Sequence, residues 1–182
     1  MVYINAISSN ATLTTDVKEL IPNALLRRRM SEIVKSGVSV GMECINKVGA
    51  EKIDAIITAT GLGCLADSEK FLKIILDNNE ELLNPTPFIQ STFNTVGGQI
   101  ALMCKNHSYN MTYTHRGTSF EAALLDAVSL IENADAENVL LGAFDYNTPT
   151  LVDVLGRLRP WQGKTIGEGA FFFVLSKEKN EN

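Results

Sequence analysis

The sequence predicts an α/β fold in which a five-stranded, mostly parallel sheet is flanked by helices. Short β-branched runs alternate with longer segments whose apolar residues recur at helical spacing. The run at 53–60 (IDAIITAT) is apolar for most of its length, as strands are when helices cover both faces of a parallel sheet. No repeat or linker interrupts this pattern, so we expect one domain over residues 1–182.

The elements are predicted in the order β-α-β-α-α-β-α-β-β. Along the chain they are a strand at 1–7, a helix at 23–48, a strand at 53–60, helices at 69–78 and 94–104, a strand at 109–114, a helix at 117–133, and strands at 138–144 and 168–176. Pro22 suits the first turn of the long helix, and Gly49 suits its end. Asp67 or Ser68 is placed to cap the helix that follows.

Two further features shape the middle of the chain. Pro85 and Pro87 are expected to break the chain before the helix at 94–104. The segment 117–133 is apolar nearly all round, which is typical of a helix buried on every side.

Composition excludes several classes of function. The chain has 182 residues, 45% of them hydrophobic, and a formal net charge of −5, which argues against a general nucleic-acid binder. No apolar run approaches the roughly 20 residues that span a bilayer, and the N-terminus lacks the pattern of a signal peptide. The three cysteines, Cys44, Cys64 and Cys104, show no metal or disulfide spacing. We therefore expect a cytoplasmic protein without a metal ion or other cofactor.

Six short motifs together resemble the N-terminal half of β-ketoacyl synthases, which have a thiolase-like fold. They occur in the family's order along nearly the whole chain: Arg28-Arg29-Met30, Thr58–Gly63 (TATGLG), Asn94–Ile100 (NTVGGQI), Val139–Gly142, Arg159-Pro160-Trp161 and Gly167–Ala170 (GEGA). The chain is most similar in character to the small ketosynthase-like, chain-length-factor-like subunits of aryl-polyene and flexirubin-type pigment pathways. Such subunits accompany an active ketosynthase.

The resemblance implies that the catalytic residues are missing. The family's nucleophilic cysteine lies between a strand and a buried helix, and Arg116 occupies that position in the segment 114–119 (THRGTS). An arginine stays cationic and cannot accept an acyl group as a thiolate does. The family's two histidines belong to its second half, and neither His107 nor His115 matches them. We therefore predict no catalytic residue in this chain.

The surroundings of Arg116 leave two readings open. The side chain either fills and closes the old acyl pocket, or it reflects drift after catalysis was lost. The residues predicted to line that pocket are Thr114, His115, Arg116, Thr118 and Phe120. A cation at a helix N-terminus is unfavourable by up to about 1 kcal/mol, so a carboxylate, a backbone carbonyl or a partner's carboxylate is expected to offset it.

Other residues admit alternatives. Cys64 could be a nucleophile or a small apolar residue at a junction, and Ser119 with His115 could form a dyad. Gly61 and Gly63 could bind phosphate or merely form a turn, and the turn is favoured because the full phosphate-loop spacing is absent. Arg27 and Arg28 could contact an acidic carrier protein or form a solvated helix end. His107 is expected in a loop.

A partner is implied because the family stacks two halves around buried central helices. The helix at 117–133 would expose an apolar face in a free half, which usually marks an interface. The family also dimerises through the strand before the nucleophile, here Tyr109, Asn110, Met111, Thr112 and Tyr113. We expect a homodimer or a heterodimer with a full-length ketosynthase. Acyl carrier protein is expected as an indirect partner. An acyl- or CoA-binding module and an atypical acyltransferase are the alternatives.

Overall fold

The computed structural model describes residues 1–180. Its five strands are β1 (Tyr3–Ser9), β2 (Ala55–Ala59), β3 (Tyr109–Tyr113), β4 (Asn138–Asp145) and β5 (Gly169–Ser176). The helices of this part of the chain are α1 (Val17–Leu20), α2 (Ala24–Arg29), α3 (Glu32–Asn46), α4 (Leu65–Asp77), α5 (Pro85–Gln90), α6 (Thr95–Cys104), α7 (Ser119–Glu132) and α8 (Pro149–Gly156). The predicted α/β class and all five predicted strands are confirmed.

The strands form one mixed sheet in the order β1-β5-β4-β2-β3. Strand β2 is parallel to both β3 and β4, whereas β5 is antiparallel to both β4 and β1. The prediction of a mostly parallel sheet was therefore wrong. An apolar run such as that of β5 has the same appearance in either direction, so its composition could not reveal that the chain returns antiparallel after α8.

The predicted helix at 23–48 is two helices. Met30 and Ser31 adopt extended backbone angles between α2 and α3. The side chain of Gln90 pairs the backbone groups that the break leaves free. Its oxygen accepts a hydrogen bond from the Ser31 N–H at 2.7 Å, and its nitrogen donates to the Arg29 carbonyl. The apolar spacing continues across the break, so the sequence pattern alone suggested one helix. Gly49, with φ of 109°, follows the end of α3 as expected.

Four other helices also differ from the prediction. Helix α4 begins at Leu65 without a side-chain cap, and Asp67 lies buried in its first turn instead of capping it. The prolines that were expected only to break the chain begin α5, which Asn84 caps. Proline is tolerated in a first helical turn because the N–H it lacks would be unpaired there. The short helices α1 and α8 were not predicted.

The core has two parts, one on each face of the sheet. Helices α3 and α6 pack on one face, with a fully buried cluster that includes Val38, Ile45, Ile100 and Phe172. Helix α7 covers the other face through Ala123, Ala127 and Ile131 at a spacing of four residues. Its outer side is not buried within this chain, since Leu125 is 70% exposed. The expected burial on every side of α7 is therefore absent in the single chain.

Strand β3 forms one edge of the sheet, as the interface prediction requires. Its residues are exposed at the start and half-buried at the end, and its far edge has no neighbouring strand within residues 1–180. No helix in the described chain is both long and apolar enough to cross a membrane.

Candidate functional site

The candidate site is the elbow between β3 and α7, at the carboxyl end of the parallel strands. Arg116 lies in this elbow with φ of 54°, in the left-handed region that is costly for a residue other than glycine. Such residues cluster at functional sites, and α/β-hydrolases use a strained strand-to-helix turn to lift their nucleophile above the sheet. The left-handed backbone of Arg116 is compatible with the predicted nucleophile position, but the same backbone region is occupied by other non-glycine residues of the described chain, such as Lys105 and Ala134.

The glycine turn after β2 holds a carboxylate of the chain itself. Asp145, at the end of β4, accepts hydrogen bonds from the Thr60 hydroxyl at 2.7 Å, the Gly61 N–H at 2.9 Å and the Leu62 N–H at 2.8 Å. Successive backbone N–H groups of this kind form an anion-binding concavity. Because Asp145 occupies it, these donors are not available to a phosphate, which supports the reading of Gly61 as a turn residue.

Close contacts fix the elbow to this turn. A side-chain carbon added at Gly61 would lie 3.2 Å from the Arg116 carbonyl oxygen, so the position favours glycine. The buried Ser119 hydroxyl lies 2.9 Å from the Thr60 carbonyl oxygen and 2.8 Å from that of Arg116. These contacts join the ends of β2, β3 and β4 around one point.

The alternative of a dyad formed by Ser119 and His115 is not supported by the geometry. The Ser119 hydroxyl is directed to backbone carbonyls, as described above, and it makes no hydrogen bond to His115 in residues 1–180. The imidazole of His115 is exposed and lies beside the ring of Tyr113, with 6.0 Å between centroids. His107 is exposed in the loop before β3, as predicted.

The guanidinium of Arg116 has no partner among the residues that the structure describes. The residue is exposed, and within residues 1–180 its side chain makes neither a hydrogen bond nor an ion pair. Closure of a pocket by Arg116 therefore finds no support inside this chain. Drift, or neutralisation by a partner's carboxylate, are the readings that remain.

The other predicted lining residues do not gather around a cavity. Thr114 and Thr118 are exposed, and Phe120 packs against the rings of Phe171 and Phe173. A cavity of about 420 Å³ opens beside the elbow, but its walls come from elsewhere: Ser9, Asn10, Ala143, Asp145, Glu168 and Phe171 are among them.

None of the three thiols is prepared for nucleophilic attack. Burial raises the pKa of Cys64 to about 12, and the neighbouring Asp67 charge adds to this rise. Burial likewise raises the pKa of Cys44 to about 12 and raises that of Cys104. These thiols stay protonated at neutral pH, and a protonated thiol is a poor nucleophile. Cys64 therefore fits the reading of a small buried residue at a junction.

The predicted interface residues alternate across β3. Asn110 donates to the Gly97 carbonyl at 3.1 Å, and the Thr112 hydroxyl contacts that of Thr58 at 2.7 Å, both on the α6 side. Tyr109 points to the α7 side, where its hydroxyl donates to Asp126 at 3.0 Å. Burial, followed by the Asp126 carboxylate, raises the pKa of Tyr109 to about 12. Side chains thus hold β3 in place while its outer backbone edge stays open.

The predicted carrier-contact arginines differ in their surroundings. Arg27 donates to the Ile21 carbonyl and, at 3.5 Å, to that of Pro22, so it stabilises the end of α1. Arg28 is exposed and makes no ion pair or hydrogen bond with the described residues. Contact with a carrier protein stays a prediction for both residues.

Sequence reasoning missed the central role of Asp145. The predicted strand ended at Phe144, and Asp145 follows it directly. The sequence did contain a signal for it. Asp145 directly follows a predicted strand, and the carboxyl ends of neighbouring parallel strands meet at one edge of the sheet, where Gly61 and Arg116 also lie.

Comparison with solved structures gives the same fold. A ketosynthase (ApeO) in complex with its chain length factor (ApeC) from Xenorhabdus doucetiae matches with a TM-score of 0.76 at 18% identity, covering 98% of this chain and 80% of that chain. The ishigamide ketosynthase/chain length factor matches with a TM-score of 0.75 at 16% identity, covering 89% and 48%. A β-ketoacyl synthase from Burkholderia phymatum has a TM-score of 0.74 at 11% identity, covering 97% and 59%.

The chain thus spans about half the length of two of these proteins. A search of curated proteins finds no significant match. The family described as "Beta-ketoacyl synthase, N-terminal domain" matches residues 5–157, which include the elbow and the Asp145 cradle. This chain therefore belongs to the β-ketoacyl synthase family and carries its N-terminal domain.

Proposed function

We propose that this chain is a non-catalytic, chain-length-factor-like subunit that partners an active ketosynthase in fatty acid or polyketide biosynthesis of the aryl-polyene type. The observation that carries the proposal is Arg116, which occupies the strained elbow between β3 and α7 where the family places its nucleophile. A guanidinium at that point cannot hold an acyl chain.

The chemical requirements of condensation support the proposal that this chain is not catalytic. Carbon–carbon bond formation by this family needs a thiolate at a helix N-terminus, where the helix dipole lowers the thiol pKa. Here the elbow carries a cation, and burial raises the pKa of all three thiols of the chain. Neither histidine of the sequence contacts the elbow serine to supply a substitute nucleophile.

The open surfaces support a partner. Strand β3 is an edge strand, and an unpaired strand edge is a ready site for pairing with another chain. The outer side of α7 exposes Leu124 and Leu125 on the opposite face of the sheet from α3. Two of the similar structures are named as ketosynthases with their chain length factors, which favours a different chain as partner over an identical one.

In such a complex the chain would stabilise the active subunit and help to shape the tunnel for the growing acyl chain. Arg116 would face the partner, whose carboxylate or carbonyl groups would offset the cation at the start of α7. Arg28, which is exposed, would be the better placed of the two arginines to meet an acidic carrier protein, since Arg27 is engaged internally.

The test is acyl transfer to the purified chain. Incubation with radiolabelled acyl-CoA and with acyl carrier protein should leave the chain unlabelled, as should the variants Cys64→Ala and Ser119→Ala. Label that appears on the wild-type chain and disappears in either variant would identify a working nucleophile and replace this proposal with an atypical acyltransferase.

A further inference from the structure

We infer that a groove between α2 and α6 is a binding site for a small amphipathic carboxylate, such as a medium-chain fatty acid. This α2–α6 groove is lined by residues of α2, α3, α5 and α6, among them Leu26, Arg29, Val34, Gln90, Gly98 and Leu102. It lies on the face of the sheet that α3 and α6 cover, opposite α7. The inference therefore concerns a different site from the elbow, and it does not depend on the proposed function.

The groove has the size and the apolar lining of a small-ligand site. Its volume is about 370 Å³, at the small end of the roughly 300–1,000 Å³ that is typical of ligand pockets. Val34 and Met30 belong to its lining and are 1% and 6% exposed, whereas Leu102 also lines it and is 72% exposed. A hydrocarbon tail in this groove is favourable because it removes such apolar surface from water.

Gly98 leaves part of the groove wall as bare backbone. A side-chain carbon added at the neighbouring Gly97 would lie 3.1 Å from the Asn110 side chain and 3.3 Å from that of Thr58, so packing against the sheet accounts for that glycine. A carbon added at Gly98 would meet no atom within 4 Å, so packing does not account for this one. Glycine weakens a helix interior, but it lets a ligand approach the backbone closely. A ligand beside Gly98 gives this glycine a role.

The charge of the groove selects an anionic head group. Among the described residues that line it, Arg29 is the only charged one, in a chain whose formal net charge is −5. Its guanidinium is exposed and makes no ion pair or hydrogen bond within residues 1–180. The guanidinium fork matches a carboxylate in bidentate geometry. One cation balances the single charge of a carboxylate, whereas a phosphate monoester carries a charge of about −1.5 to −2.

Hydrogen bonds hold the walls of the groove together. Gln90 of α5 bonds to the backbone of Arg29 and Ser31, which joins α5 to the junction of α2 and α3. The Thr95 hydroxyl of α6 lies 3.4 Å from the carbonyl oxygens of Ile89 and Gln90, which joins α6 to α5. The groove is therefore formed before a ligand enters, and a preorganised site loses little conformational entropy on binding.

The experiment is calorimetric titration of the full chain with octanoate, which should bind at one site per chain. Gly98→Leu should weaken the Kd at least tenfold, because the new side chain occupies the groove. Gly156→Leu is the matched control: Gly156 is also helical with no atom within 4 Å of an added carbon, but it lies in α8 outside the groove. Its Kd should change less than twofold. Circular dichroism should show both variants folded, since leucine favours a helix over glycine.

The head group is tested by comparing octanoate with the neutral 1-octanol. Arg29→Ala should weaken the Kd for octanoate about tenfold and change that for 1-octanol less than twofold. Arg159→Ala, which removes an exposed arginine outside the groove, should change neither.

Three results would overturn the inference. They are no saturable binding of octanoate by the wild-type chain, equal binding by Gly98→Leu, and an equal loss of octanoate and 1-octanol binding in Arg29→Ala. Each leaves the proposed function standing, because acyl transfer to the chain is measured separately.

Discussion

At the residue scale, the site depends on the backbone conformation of Arg116 and on the hydrogen bonds that Asp145 accepts. Hydrogen bonds from Thr60 and Gly61 to Asp145 join the ends of β2 and β4, and Arg116 has a left-handed backbone in the neighbouring elbow. The sequence predicts that Arg116 occupies the family's nucleophile position, because the flanking strand and helix are both recognisable, and this assignment stays a prediction. The bond between Asp145 and the glycine turn joins residues 83–85 positions apart, which no local pattern reports.

A second residue gives a pH-dependent test of the fold. Burial alone would raise the pKa of Glu43, but hydrogen bonds from the backbone and hydroxyl groups of Thr14 and Thr15 outweigh it and lower this pKa to about 2. A carboxyl group with a lowered pKa stabilises the folded state above its unfolded pKa, near 4.5, and loses that contribution as pH falls towards 2.

We therefore expect Glu43→Gln to flatten the stability profile between about pH 5 and pH 2. At pH 7 the wild-type chain should be more stable than the variant by a few kcal/mol at most, and near pH 2 the two should converge. Urea unfolding at each pH measures this difference. Parallel profiles for the two chains across this range would contradict the assigned role of Glu43.

At the element scale, helix boundaries were less predictable than helix existence. The apolar spacing of residues 23–48 follows one helical face through Met30 and Ser31, yet the chain breaks there. The break depends on Gln90, about 60 positions away, which satisfies the backbone groups that a continuous helix would have paired internally. A tertiary contact therefore overrides a local pattern.

The hydrogen bonds of Gln90 to the α2–α3 junction predict that replacing Gln90 destabilises the fold. Gln90→Ala should lower the free energy of unfolding by about 1–3 kcal/mol, because it leaves the Ser31 N–H and the Arg29 carbonyl without their partner. Gln99→Ala is the control, since Gln99 is half-buried in α6 and its side chain makes no hydrogen bond within residues 1–180. Equal unfolding free energies for the two variants would show that the bridge does not hold the α2–α3 junction.

The sheet shows a similar limit of sequence reasoning. Strand β2 was predicted as a buried parallel strand, and its pairing with β3 and β4 confirms this. The direction of β5 could not be predicted, because its apolar run packs equally well in either orientation. The direction depends on how the segment after α8 returns to the sheet.

At the scale of the whole molecule, the chain has one closed side and several open surfaces. Helices α3 and α6 cover one face of the sheet, whereas the outer side of α7, the β3 edge and the outer side of α4 expose apolar groups or unpaired backbone. The sequence predicted the first two surfaces from the family resemblance. It gave no sign that Leu72 and Leu76 of α4 are exposed, because exposed leucines on an amphipathic helix have the same spacing as buried ones.

The measurement that tests the central claim most directly is condensation by the purified ketosynthase with and without this chain. We expect the chain to raise turnover, and we expect replacement of the ketosynthase's nucleophilic cysteine by alanine to abolish turnover of the complex. Turnover that persists in the complex after that replacement, and disappears when this chain is omitted, would show that this chain supplies a nucleophile of its own.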